Sequence, residues 1–165
     1  MKNLVLIGLP GCGKSTVGQH LAAELGLAFV DCDIEIEKRA GKTIPEIFAQ
    51  DGEEVFRKTE SVVLAETLKT PGKVIATGGG IVLKRENQEV LSRATVVFLD
   101  RKIDNIMSTC NMAGRPLMQS CSLAELALER RQLYLDCADY VVTAENIEEI
   151  TAEIIEYWRG GTCVF

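Results

Sequence analysis

Short apolar runs without polar alternation recur along the chain, separated by longer stretches with helical spacing. Leu4–Ile7, Ala28–Val30, Val74–Ala76, Thr95–Leu99 and Tyr140–Val142 are the candidate strands. Their lack of alternation predicts burial on both faces. Apolar residues three and four apart predict helices over Ser15–Leu25, Ile34–Arg39, Ile44–Ala49, Glu53–Leu68, Ile103–Ser108, Leu123–Leu135 and Ile147–Trp158. Strands that alternate with helices are joined by crossovers, so the pattern predicts an α/β fold on a parallel sheet. No repeat, linker or low-complexity run divides the 165 residues, and a single domain over 1–165 is expected. One segment, Thr109–Ser122 ("TCNMAGRPLMQSCS"), has little periodicity and is either a plain surface connection or a mobile flap.

Composition narrows the class. Aromatic residues make up only 5% of the chain, so aliphatic side chains are expected to fill the core. A net charge of -6 argues against non-specific binding to nucleic acid or to anionic membranes. Any phosphate contact must then come from a local positive pocket. No apolar stretch is long enough to span a bilayer, and the first apolar run ends in a glycine loop instead of a cleavage site. The six cysteines are scattered without paired metal spacing. With Cys32 and Cys137 beside candidate strands, buried free thiols in a reducing cytoplasm are expected. Cys12, inside the glycine loop, is the cysteine expected to be open to oxidation or alkylation.

The chemistry begins after the first strand. Gly8 to Ser15, in "LVLIGLPGCGKSTVG", reads G-x-x-x-x-G-K-S, following a strand and opening a helix. Glycines leave backbone N–H groups free to converge on phosphate oxygens, and the helix N-terminus adds partial positive charge. Lys14 would reach the outer phosphates and the Ser15 hydroxyl would ligate magnesium. A turn alone would need fewer glycines than Gly8, Gly11 and Gly13. In "FVDCDIEIE", Asp31 and Asp33 stand where a strand ends, the edge at which open parallel sheets bind ligands. Two residues apart on extended chain, both carboxylates would face the crevice, one near magnesium and one accepting a hydroxyl proton. The alternative is that one of them caps the next helix. In "EEVFRKTE", Arg57 and Glu60 share a helix face, as an exposed ion pair or as part of a site. Gly78, Gly79 and Gly80, in "ATGGGIV", suggest close approach of a ligand to backbone. Arg130 and Arg131 follow the irregular segment; a carboxylate substrate would suit such guanidinium groups.

With these residues in order, the chain resembles the shikimate kinase family over nearly its whole length. The matching stretches are "GLPGCGKST", "DCDIEIE", "IPEIFAQDGEEVFRKTE", "TGGGIV", "GRPLM" and "RRQLY". The resemblance implies a three-layer α/β/α fold with a five-stranded parallel sheet, of the P-loop kinase type, and a mobile lid at about 109–122. It implies ATP-dependent phosphorylation of the 3-hydroxyl of shikimate, in chorismate and aromatic amino acid biosynthesis, by a magnesium-dependent cytoplasmic monomer. By the same resemblance, Gly11, Cys12, Gly13, Lys14, Ser15, Thr16 and the lid residue Arg115 bind ATP. Asp33, Arg57, Gly78, Gly79, Gly80 and Arg130 bind shikimate. Asp33, Lys14 and Arg115 are the catalytic set, and Ser15 with Asp31 holds magnesium. Arg130 is chosen over Arg131 because it stands four residues before Tyr134. Phe48 and Phe56 would line the ring pocket, and Glu60 would orient Arg57. A kinase of another hydroxy acid such as gluconate, and a nucleotide-binding module without turnover, are the competing readings. Arg57, Arg130 and the triple glycine speak against the first, and intact Lys14, Ser15 and Asp33 against the second.

The chain also departs from the family pattern. Gln132 replaces the proline of R-x-P-L-Y, and "VVTAENIEEI" lacks the proline of the adenine loop. Met107, Ser108 and Thr109 supply no arginine to stack on adenine. Such a stack contributes about 0.5–2 kcal/mol, against roughly 1.4 kcal/mol per tenfold in affinity. The expected outcome is measurable turnover with GTP and tighter ATP binding by a Ser108→Arg variant, the competing reading being that Met107 or Met112 packs on the base in the arginine's place. Specificity constants for ATP and GTP in both proteins check it; strong ATP preference unchanged by Ser108→Arg contradicts it.

Overall fold

The computed structural model describes residues 2–109 and 122–160. Five strands, β1 (Leu4–Ile7), β2 (Ala28–Asp31), β3 (Lys73–Ala76), β4 (Thr95–Leu99) and β5 (Tyr140–Val142), form one sheet in the order β2-β3-β1-β4-β5. Every pairing is parallel: Leu4 lies opposite Val74 on one side and Thr95 on the other, and Ile7 opposite Phe98. The chain therefore holds the expected α/β parallel sheet. β1 is central, and all four of its residues are fully buried, which is why "LVLI" carries no polar position.

Eight α-helices occur among the described residues: α1 (Lys14–Leu25), α2 (Cys32–Ala40), α3 (Ile44–Gln50), α4 (Glu53–Leu68), α5 (Arg85–Leu91), α6 (Ile103–Thr109), α7 (Leu123–Cys137) and α8 (Ile147–Trp158). Local chemistry sets most ends. Thr43 and Glu46 close a capping box at α3, Ser122 and Glu125 another at α7, and Asn146 caps α8. Gly26 and Gly41 end α1 and α2 in left-handed conformation. The expected boundaries are reproduced to within two residues. α5, and a 3₁₀ turn at Ile81–Leu83 before it, were not expected. "RENQEVL" has too few apolar positions to show a helical stripe. Besides buried Leu91 at its end, polar side chains dock it: Asn87 donates to the Ile81 carbonyl at 3.0 Å and Gln88 to the Val82 carbonyl at 2.7 Å.

The core is largely aliphatic, as the composition implies, with Phe56, Phe98 and Tyr134 its aromatic members among the described residues; the Phe98 and Tyr134 ring centroids lie 5.0 Å apart. Cys12 and Cys32 are buried free thiols, whereas Cys137 is only half-buried. Burial, with the Asp33 and Asp31 carboxylates nearby, pushes the Cys32 thiol far up. Cys12 is fully buried too, so the expectation that it is open to reagents is corrected: facing the core, it packs as a small hydrophobe. No described helix is long and apolar enough to cross a membrane. The segment expected to form a lid, with Arg115 in it, lies outside the described residues except for Thr109 and Ser122.

A polar bracket fixes the lower edge of the sheet. Buried Asn3 donates to the carbonyls of Leu68 and Thr70 at 3.3 and 3.1 Å, and accepts from the Lys73 amide at 3.0 Å. It thereby ties β1 to the turn between α4 and β3. Asn3→Ala leaves those backbone groups without partners and should cost about 1–3 kcal/mol. At about 2–4 °C per kcal/mol for a chain of this size, the thermal midpoint by circular dichroism should fall measurably, with the folded spectrum unchanged.

Candidate active site

The loop from β1 to α1 can only be built from glycine at three points. Gly8, Gly11 and Gly13 have φ of 147°, 78° and 98°, and no other residue type among the described residues has positive φ. A Cβ on Gly8 would also lie 2.9 Å from the Leu99 carbonyl oxygen and from Cys12 Sγ. No side chain caps α1, and its first turn contains no acidic residue. The amides and dipole of that helix end therefore point to the loop uncompensated. Lys14 is buried and folds over the loop, its Nζ donating to the carbonyls of Gly8 at 2.8 Å and Leu9 at 2.9 Å.

Contrary to the expectation, Asp31 and Asp33 do not sit two apart on extended chain. Asp31 is the last residue of β2 and the N-cap of α2, and Asp33 lies in the helix's first turn. The Asp31 carboxylate accepts from the Asp33 amide at 2.9 Å through Oδ1 and from the Ser15 hydroxyl at 2.5 Å through Oδ2. Capping and site roles thus belong to one residue at once: one oxygen ends the helix, the other faces the phosphate loop. Ser15 and Asp31, two hard oxygen donors side by side, fit magnesium, which binds through few protein ligands and retains water.

The triple glycine is the meeting point of the other candidates. None of Gly78, Gly79 and Gly80 has positive φ, so conformation does not require them. Space does. A Cβ on Gly80 would lie 2.1 Å from Arg57 Nη1; on Gly79, 2.7 Å from Pro10 Cδ; on Gly78, 2.8 Å from Glu60 Oε1 and 3.1 Å from Asp33 Oδ1. What approaches this backbone is the protein's own side chains, rather than a ligand alone.

Arg57 and Glu60 are no exposed pair. They meet at 2.8 Å with side-chain exposures of 8% and 1%, and Arg57 also lies over the Phe56 ring, 5.1 Å from its centroid. Phe56 packs on Phe48 at 4.7 Å. Burial pushes the Glu60 carboxyl up; Arg57 opposes that, while the Asp33 carboxylate adds to it. Arg130 is buried and Arg131 exposed, the latter bonded to Asp100 at 2.8 Å. Arg130 hydrogen-bonds Tyr134, whose hydroxyl donates to the Gly79 carbonyl at 2.5 Å. Arg57 Nε, Arg130 Nε and Nη1, and Glu60 Oε1 are buried without a hydrogen-bond partner among the described residues. Native proteins rarely leave such groups unmatched. A carboxylate brought to this wall would match the guanidinium donors bidentately.

A cleft of about 460 Å³ runs along the carboxyl edge of the sheet, past Asp33, Gly78, Lys14, Arg101 and Asn146. Its order follows the strands: the carboxylate and glycine wall at β2 and β3, the phosphate loop at β1, then Arg101 after β4 and residues 143–146 after β5. An acceptor on the first side and a nucleoside on the last would be joined through phosphates in the middle. Arg101 and Glu145, which reach from the last two strands toward the loop, were missed in the sequence. A charged residue just past a strand's carboxyl end was the available signal.

A model of the shikimate kinase family matches residues 10–159. The chain belongs to that family. It is 44% identical to a shikimate kinase of Clostridium botulinum strain Eklund 17B, over 93% of this chain and 96% of that one. To a shikimate kinase of Vibrio parahaemolyticus it is 43% identical over 88% of each. Among solved structures, shikimate kinase from Acinetobacter baumannii in complex with shikimate superposes with a TM-score of 0.92 at 35% identity, covering 98% of this chain and 95% of that one. The Aquifex aeolicus enzyme gives 0.85 at 36%, covering 97% and 99%. Family membership makes this chain an enzyme that phosphorylates shikimate at the expense of ATP, in aromatic biosynthesis. The five-stranded α/β architecture implied by the resemblance is the one these structures share.

The glycine wall generates a test that needs no substrate. Gly80→Ala overpacks a buried site and should cost about 1–3 kcal/mol. Because the obstacle is Arg57, combining it with Arg57→Ala should cost less than the two singles added, by about 0.5–3 kcal/mol. Urea unfolding of the four proteins measures this; strict additivity would place the clash elsewhere.

Proposed function

We propose the following division of labour for transfer of the γ-phosphoryl group of ATP to the 3-hydroxyl of shikimate. Arg57 and Arg130 grip the shikimate carboxylate, and the observation that carries this is their set of buried, unpartnered guanidinium donors. Phe48 and Phe56 line the ring, and Glu60 holds the Arg57 fork in plane. The backbone at Gly78, Gly79 and Gly80 forms the floor on which these side chains meet the substrate. Gly79 offers its N–H rather than its carbonyl, which Tyr134 occupies.

Asp33 accepts the hydroxyl proton as that oxygen bonds phosphorus and the bond to the β-phosphate oxygen breaks, releasing ADP. The backbone of Gly11, Cys12, Gly13, Lys14, Ser15 and Thr16 cradles the phosphates, with the Lys14 ammonium offsetting charge on the transferred group. Arg115, outside the described residues, is proposed to add a second cation from the lid at 109–122. Magnesium, held by Ser15 and Asp31, would neutralise and align the β- and γ-phosphates. Asp31 keeps its role as helix cap, so the metal pair and the Asp33 base are fixed by the same turn.

The enzyme is proposed to work as a single 165-residue domain, a monomer, in the cytoplasm, with ATP and shikimate as its partners and neither nucleic acid nor membrane. The free thiols at Cys12, Cys32 and Cys137 support a reducing compartment. Among the described residues, the large exposed apolar side chains, Ile34, Val55, Val62, Met107 and Leu128, are spread over four helices, which supports the monomer.

A coupled ADP-release assay over shikimate, quinate, gluconate and nucleoside monophosphates tests the reaction, with release expected for shikimate. Asp33→Asn keeps the shape and loses the acceptor charge, so turnover should collapse while shikimate affinity changes little. Arg57→Lys keeps the charge and loses the fork, weakening shikimate binding by about 1.5–3 kcal/mol. Unchanged shikimate binding by calorimetry in the Arg57 variant would return Arg57 to a purely structural role.

A further inference from the structure

Arg101 has no part in the division of labour above, yet its side chain is only 8% exposed and engages two separate segments. Nη1 donates to the Cys12 carbonyl of the phosphate loop at 3.2 Å. Nε donates to Glu145 Oε2 at 3.4 Å and Nη2 to the Glu145 carbonyl at 3.1 Å. Glu145 is held from several sides: its Oε1 accepts from the Lys102 amide at 2.9 Å, and Asn105 bonds its carboxylate as well. Burial works against the charged form of Glu145, but these donors outweigh it and keep its carboxyl below the usual range. The guanidinium passes close to Gly13, where a Cβ would lie 3.6 Å from Nη1. Arg101, Glu145 and Asn146 all line the cleft beyond the phosphate loop.

We propose that Arg101 is a positioning residue for the nucleoside of ATP: it locks residues 143–146, the far wall of the cleft, onto the phosphate loop. The inference rests on the ATP-dependent reaction proposed above. A planar fork is needed because one arm must reach a loop carbonyl while the others hold both a carboxylate and a carbonyl of the wall. The phosphate loop itself is anchored by β1 and α1, so loss of Arg101 frees the wall and leaves the phosphate cradle in place.

The variants are Arg101→Met, Arg101→Lys, Glu145→Ala and the double variant Arg101→Met/Glu145→Ala. Calorimetry reads the magnesium salts of ATP and of inorganic tripolyphosphate, and steady-state assays read the shikimate KM. Arg101→Met should weaken ATP by roughly 5- to 150-fold, the usual span for two coupled sites, and leave tripolyphosphate affinity and shikimate KM unchanged. Arg101→Lys should fail to restore ATP affinity, and Glu145→Ala should reproduce the loss. The double variant should be no worse than either single, since both remove one brace. Equal loss of ATP and tripolyphosphate would overturn the proposal in favour of a direct phosphate contact, as would full rescue by lysine. Parallel loss of ATP, tripolyphosphate and shikimate with a lowered thermal midpoint would overturn it in favour of a general structural role. Absence of ADP release by the natural protein with shikimate would instead sink the reaction, and the two failures are told apart because calorimetry needs no acceptor.

Discussion

Three consecutive residues without a Cβ, Gly78 to Gly80, set the condition on which the rest of this site depends. Glu60 closes on the first, Pro10 on the second and Arg57 on the third at distances a methyl group would not tolerate without a shift, with Asp33 only slightly farther from the first. Through them the end of β3 is in contact with α2, α4 and the phosphate loop, and the Tyr134 hydroxyl adds α7 by way of the Gly79 carbonyl. Charged side chains that ordinarily remain in water are instead packed against bare backbone. That packing fixes their direction without a large hydrophobic wall, in a chain with few aromatic residues to build one.

The sheet order turns this cluster into one end of a line. β1 occupies the centre because its residues can tolerate burial on every side, and the loop that follows it is thereby placed between the two flanks of the cleft. The glycine wall with Asp33, Arg57 and Glu60 gathers at β2 and β3, and the Arg101–Glu145 brace gathers at β4 and β5. Parallel crossovers bring all five strand ends to one edge, so residues far apart in the chain become neighbours in the order that phosphoryl transfer requires.

Most of the fold was legible because periodicity reports burial, and burial is what places strands and long helices. The five strands and the long helix Glu53–Leu68 needed nothing more. α5 was illegible because its apolar anchors are confined to Val90 and Leu91 at one end, while Asn87 and Gln88 dock the rest through polar bonds. At the site, the glycine loop was readable from spacing alone, since each of its glycines answers a local backbone need. Asp31 and Asp33 were identified by position but given the wrong geometry, because a helix cap turns the chain one residue after the strand. Arg57 and Glu60 at three-residue spacing look the same whether buried or exposed; only the tertiary contact with Gly80 decides. Cys12 is the reverse case, a residue in a functional loop whose side chain points into the core. Arg101 depends on Cys12 and Glu145, 89 and 44 residues away, and no local pattern encodes that.

Lys14 adds a consequence about exchange. Its ammonium donates to the Gly8 and Leu9 carbonyls, so the charge of this loop is satisfied from within. An arriving anion competes with those two carbonyls, and its gain is the difference between new and surrendered bonds, each charged bond being worth about 1.5–3 kcal/mol. Water and weakly charged groups have too little to offer in such a trade; a chain of linked phosphates has enough. In the proposed reaction, when the spent nucleotide departs, the lysine would return to partners already in place instead of to a bare, desolvated state. On the proposed roles, the loop would act as its own counter-ligand, filtering what enters and easing what must leave.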